Sequence, residues 1–85
     1  MPSNYTYINS NSTATPSGAK TLIRVVINSK GATANTLTLK DGGTTFAVLD
    51  TTTAPGYVDF NVRVPGGLSA VMAGGTAADV TLVWE

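Results

Sequence analysis

A period-two alternation of apolar and polar residues, broken at short intervals by glycine, proline, asparagine or aspartate, restricts this chain to strands joined by tight turns. The alternation is clearest where Val58, Phe60, Val62 and Val64 fall on one side and Tyr57, Asp59, Asn61 and Arg63 on the other. That is the pattern of a strand with one face on a core and one face in water. The same rule turns Leu37 and Leu39 inward against Thr36, Thr38 and Lys40, and turns Val80, Leu82 and Trp84 inward against Thr81 and Glu85. Six runs have this character, at 20–29, 35–40, 45–50, 57–64, 68–73 and 79–85. They are rich in Thr and Val, which suit a pleated surface better than a helix, and no amphipathic helical period is evident. Their spacing predicts an all-β fold, a small antiparallel β-sandwich or jelly-roll-like domain.

The connections carry turn chemistry. Lys40 and Asp41 run into Gly42 and Gly43, a hairpin signal because glycine supplies the positive φ that primed turns require. Pro65 to Gly67 and the Gly74–Gly75 pair mark two more reversals, and Thr51 to Thr53 with Pro55 and Gly56 read as a surface loop.

The run Thr21 to Ile27 departs from simple alternation. Strict period two places Ile23, Val25 and Ile27 on one face and leaves Leu22 and Val26 on the other, beside Arg24 and Asn28. In a small sandwich only one face of a strand meets the core. Leu22 and Val26 are therefore expected to need cover, from the N-terminal segment or from another subunit. Residues 1–19 are rich in Ser, Thr, Asn and Pro, with a single alternating patch at Tyr5, Thr6, Tyr7 and Ile8. They are expected to form an extended N-terminal arm, either a frayed end or a strand docking on a neighbouring subunit, ahead of a β-sandwich domain at 20–85. Such an arm should be removable with little change in the melting of the domain. Tyr5, Tyr7, Ile8, Leu22 and Val26 are the expected interface residues.

At 85 residues the chain holds one core. It has no Cys and no His, so neither disulfides nor the usual zinc ligands and general bases are on hand. Asp41, Asp50, Asp59, Asp79 and Glu85 lie mostly in or beside turns, where aspartate accepts bonds from backbone N–H groups. The glycine pairs neither precede a helix nor carry the lysine of a phosphate-binding loop. The expectation is a protein without catalytic residues, metal or cofactor. Five basic residues, Lys20, Arg24, Lys30, Lys40 and Arg63, balance five acidic ones and are scattered. Nucleic acid binding, which needs a basic footprint, is not expected. Nor is membrane insertion, since no apolar run approaches the length of a spanning helix and the first eighteen residues are polar. Charged residues make up 12% of the chain, against roughly 25% in an average soluble domain, and so sparse a surface charge favours cover by another chain. Alternation points Phe60 and Trp84 to the core, which leaves the three tyrosines as contact residues.

The stretches LIRVVINSKGATANTLTLKDGGTTFAVLDTT and GLSAVMAGGTAADVTLVWE resemble small virion structural proteins of tailed bacteriophages and prophages. The resemblance covers about residues 20–85. It rests on the long apolar strand into Lys30–Gly31–Ala32, the strand Asn35 to Lys40 with its Asp41–Gly42 turn, and the Gly67–Leu68 and Gly75–Val80 segments leading to the closing strand. It implies a capsid decoration (cement) protein, made in the host cytoplasm and carried on the capsid surface of the virion. The implied partners are the major capsid protein and copies of the chain itself as a homo-oligomer, often a trimer. A receptor-facing head-fiber or tail-appendage module is the alternative, with loops 51–56 and 74–78 recognising a host surface glycan.

Overall fold

The computed structural model describes residues 4–53 and 55–85. Met1 to Ser3 of the expected arm and Ala54 of the expected glycan loop lie outside the described residues. The rest forms eight strands and no helix: β1 (Asn4–Ile8), β2 (Thr13–Ala14), β3 (Thr21–Ser29), β4 (Thr36–Asp41), β5 (Thr44–Asp50), β6 (Gly56–Arg63), β7 (Leu68–Ala73) and β8 (Asp79–Trp84). All six runs read from the alternation are strands, with ends that differ by a residue at most.

The strands form two four-stranded antiparallel sheets, ordered β1-β8-β3-β6 and β2-β7-β4-β5. The pairs 1·8, 2·7, 3·6 and 4·5 are those of one long antiparallel ribbon folded at β4–β5, and every other connection passes from one sheet to the other. A ribbon wound in this way is a jelly roll, the eight-stranded form of the β-sandwich. Its turning point is the predicted hairpin. Asp41 pairs with Thr44 across Gly42 and Gly43, and Gly42 sits at φ 61°, as the first central position of a two-residue primed turn demands.

The expected arm does not stand apart from the domain. β1 pairs with β8 from Asn4↔Trp84 to Ile8↔Val80, and β2 pairs with β7 through Thr13 and Ala14. The segment 4–14 thus supplies an edge strand to each sheet of its own chain. Ile8 is 4% exposed and belongs to the core, and the Trp84 indole N–H donates to the Thr6 hydroxyl at 2.9 Å. The physical reason is the ladder itself: backbone pairing with β8 and β7 holds a polar segment whose side chains alone would not.

The core also corrects the reading of Thr21 to Ile27. Leu22 pairs with Trp84 while Arg24 pairs with Val83, so Ile23 is an extra residue in β3 against β8. On the other side Leu22 pairs with Val62 and Arg24 with Asp59, which leaves Phe60 and Asn61 opposite Ile23, with Asn61 at φ 50°. A bulge of this kind shifts the phase of alternation. Leu22 therefore points inward with Val25 and Ile27, and it is fully enclosed by its own chain at 0% exposure. It offers nothing to a partner. Val26 keeps its expected outward direction, paired with Thr81 and Tyr57.

Leu37, Leu39, Leu68, Ala70 and Met72 from the second sheet meet Leu22, Val25, Ile27, Val80 and Leu82 from the first. At the β5–β6 edge Phe46, itself an extra residue between Leu39↔Ala47 and Lys40↔Thr45, meets Phe60 edge to face with centroids 6.1 Å apart. One end of the sandwich is tied by a buried amide. Asn35 directs its side-chain N–H groups to the Asn11 side-chain oxygen at 2.9 Å and to the carbonyls of Ala73 and Gly74 at 3.1 and 2.7 Å. Its oxygen accepts from the buried Thr51 hydroxyl and from the Ala78 N–H. Four connections are thereby joined at one residue. Gly75 is required there, since a Cβ on it would lie 2.2 Å from the Ala32 carbonyl.

Candidate interaction surface

Because the register is known, the outward side chains of the first sheet can be placed in rows. Tyr5, Val83, Arg24 and Asp59 form one row across β1, β8, β3 and β6, and Tyr7, Thr81, Val26 and Tyr57 form the next. Glu85, Thr21 and Arg63 border the first row, and Asp79 and Asn28 border the second. All three tyrosines of the chain are thus on one face, exposed by 74% at Tyr5, 52% at Tyr7 and 63% at Tyr57. Strand pairing does this: β1 and β6 are the two edges of the sheet, and the half-buried Val26, Thr81 and Val83 lie between them.

Arg24 and Asp59 hold each other on this face, and Asp79 is held by neutral donors. Arg24 Nε meets Asp59 Oδ1 at 2.5 Å, and its guanidinium lies 4.5 Å from the centroid of the Tyr57 ring, a cation–π contact. The hydrogen bond to Asp59 and then its charge hold the Arg24 guanidinium above its ordinary pKa. Tyr7 donates its hydroxyl to Asp79 Oδ2 at 2.6 Å, and Asn28 donates to Asp79 Oδ1 at 3.2 Å and to the Thr81 hydroxyl at 3.1 Å. The hydrogen bond to Asp79 raises the Tyr7 pKa most, followed by desolvation and the charge of Asp79. Two arginines, Arg24 and Arg63, stand on this face with three carboxylates, Asp59, Asp79 and Glu85.

The opposite broad face is different in kind. Its outward residues are Thr13, Thr36, Thr38, Lys40, Thr45, Val48, Asp50, Ser69, Val71 and Ala73, none of them aromatic. The loops expected to read a glycan, 51–56 and 74–78, meet at the Asn35 tie, where Thr51 is buried and Asn35 takes the Gly74 carbonyl and the Ala78 N–H. No cavity of a size to enclose a small molecule opens among the described residues.

Of the five residues expected at an interface, the structure brings Tyr5, Tyr7 and Val26 together on the tyrosine face and puts Ile8 and Leu22 in the core. Tyr57 joins the first three across the sheet; its outward direction is legible in the alternation of β6, but its neighbours follow from the register. The outward side of Asp59 and Arg24 was legible in the same alternation, whereas their pairing with each other and the place of Asp79 beside Tyr7 follow from the register. No protein-family model matches the chain, and no curated protein matches it.

Proposed function

We propose that the chain is a virion structural protein, a capsid decoration (cement) module that binds the major capsid protein lattice and copies of itself. The reading is carried by one observation: Tyr5, Tyr7 and Tyr57 share a broad sheet face, with Arg24 and Asp59 paired on it, that the described residues leave uncovered. Tyrosine and arginine are the residues that dominate protein contacts, and aspartates already bonded to neighbours lose less when water is removed. The jelly-roll strand order supports the reading as well, since viral capsid domains are among the proteins built this way, and so does the resemblance over residues 20–85.

The mechanism is adhesion. Apolar surface buried against the lattice stabilises the contact by about 25 cal/mol per Å², and many copies bound across one shell add their contributions, resisting rupture from within. The test is a binding measurement with DNA-filled and emptied capsids. Near-stoichiometric occupancy of the lattice is expected. Sparse copies confined to the tail replace decoration with the receptor-facing appendage, and absence of binding ends the capsid reading.

A further inference from the structure

The tyrosine face belongs to an 85-residue slab measuring 34 × 25 × 17 Å. Two sheets lie about 10 Å apart, so the thin dimension is the direction of stacking and each broad face spans the longer two. A stable interface buries about 800 Å² per partner, an area that a face of 34 × 25 Å can supply. We propose that this face is where two copies of the chain meet, about a twofold axis running parallel to the strands between β8 and β3. The inference rests on the reading of the face as a protein contact and gives that contact to a second copy, so that a dimer bound to a capsid would meet the lattice through its remaining surfaces.

A twofold interface sets one patch against itself, so the patch must complement its own rotated image. Rotation about an axis along the strands keeps the rows and exchanges the columns: β1 of one copy lies over β6 of the other, and β8 over β3. Tyr7 then faces Tyr57 of the second copy, Tyr5 faces the Asp59 carboxylate, Thr81 faces Val26, Arg24 faces Val83, and Asp79 faces Asn28. No like charges meet. The perpendicular axis in the same plane, passing between the two tyrosine rows, would set Glu85 against Asp79 of the second copy. The charge pattern therefore selects the first arrangement.

The contact is also preorganised. Arg24 is fixed by Asp59 and by the Tyr57 ring, and Tyr7 by Asp79, so little side-chain freedom remains to be lost on association. The same stacking argues against a sugar on Tyr57, because the guanidinium already occupies a face of that ring.

Sedimentation equilibrium of the full chain is expected to show a reversible dimer. Tyr57→Ser should weaken it by about tenfold or more, while the melting transition read at a concentration where the chain is dissociated stays in place. The chain has no cysteine, which makes a second measurement clean: Tyr7→Cys mixed with Tyr57→Cys and treated with a short bismaleimide should crosslink far more than either variant alone. A monomer at the highest attainable concentration, a threefold assembly, a dimer indifferent to Tyr57→Ser, or equal crosslinking of mixed and single variants overturns the proposal. A monomeric wild type that coats capsids sinks this inference and leaves the decoration reading standing; a dimer of the expected geometry that ignores capsids does the reverse.

Discussion

At Ile23 the β3–β8 ladder skips a residue, and Leu22 and Val25, three positions apart, come to share the core face. The difference between Leu22 and its neighbours is thermodynamic as well as geometric. Leu22→Ala should destabilise the fold by about 2–5 kcal/mol, the range for a leucine deleted from a tight core. Tyr5→Ala, on the exposed row, should stay within about 0.5 kcal/mol when read on the dissociated monomer. Urea denaturation of the two variants measures both, and equal effects would mean that Leu22 is not enclosed. Period two could not reveal this, because Ile23, Val25 and Ile27 satisfy one phase and Leu22 and Val26 the other, and only the pairing partners locate the bulge between them. Asp50 gives a second residue-scale test. The Thr52 hydroxyl and backbone N–H donate to its carboxylate and hold its pKa below the ordinary value. A carboxyl depressed in the folded state stabilises the fold above its unfolded pKa and loses that contribution as pH falls through the folded value. Carboxyl-detected titration should therefore place Asp50 below the ordinary aspartate range, and Thr52→Val should move it upward.

At the scale of elements, the six alternating runs were legible because each carries its own inward face; the patch Tyr5 to Ile8 marked β1 as an extended segment without its partner, and β2 was not legible, because the place of both is set by pairing. Around β2 a sequence of Ser, Thr and Asn gives no apolar period strong enough to mark a strand. Yet β1 closes the β8 edge from Asn4 to Ile8 and β2 covers part of β7. Deleting residues 1–18 should thus lower the melting temperature markedly and leave β8 as a bare edge prone to self-pairing; an unchanged melt would restore the picture of a dispensable arm. The tyrosine face was half legible for the same reason. Alternation gives the direction of each tyrosine, but the step from direction to neighbourhood needs the order β1-β8-β3-β6, which no local pattern encodes.

For the whole molecule, the charges illustrate how arrangement changes meaning. Scattered along the sequence, Arg24, Asp59 and Asp79 look like a thin solvated coat; assembled on one sheet, they steady tyrosines in fixed poses. The jelly roll makes such convergence unavoidable, since six of its seven connections carry the chain across to the other sheet. Its ribbon also joins residues far apart in the chain, with Asn4 beside Trp84. Topologies dominated by remote pairings fold in milliseconds to seconds, and stopped-flow refolding should fall in that window, with microsecond folding as the contrary result. During synthesis the consequence is sharper. β1 is completed by β8, seven strands later in the chain, so everything between them must be synthesised before β1 finds its partner, and the sheet shuts only when β8 has emerged.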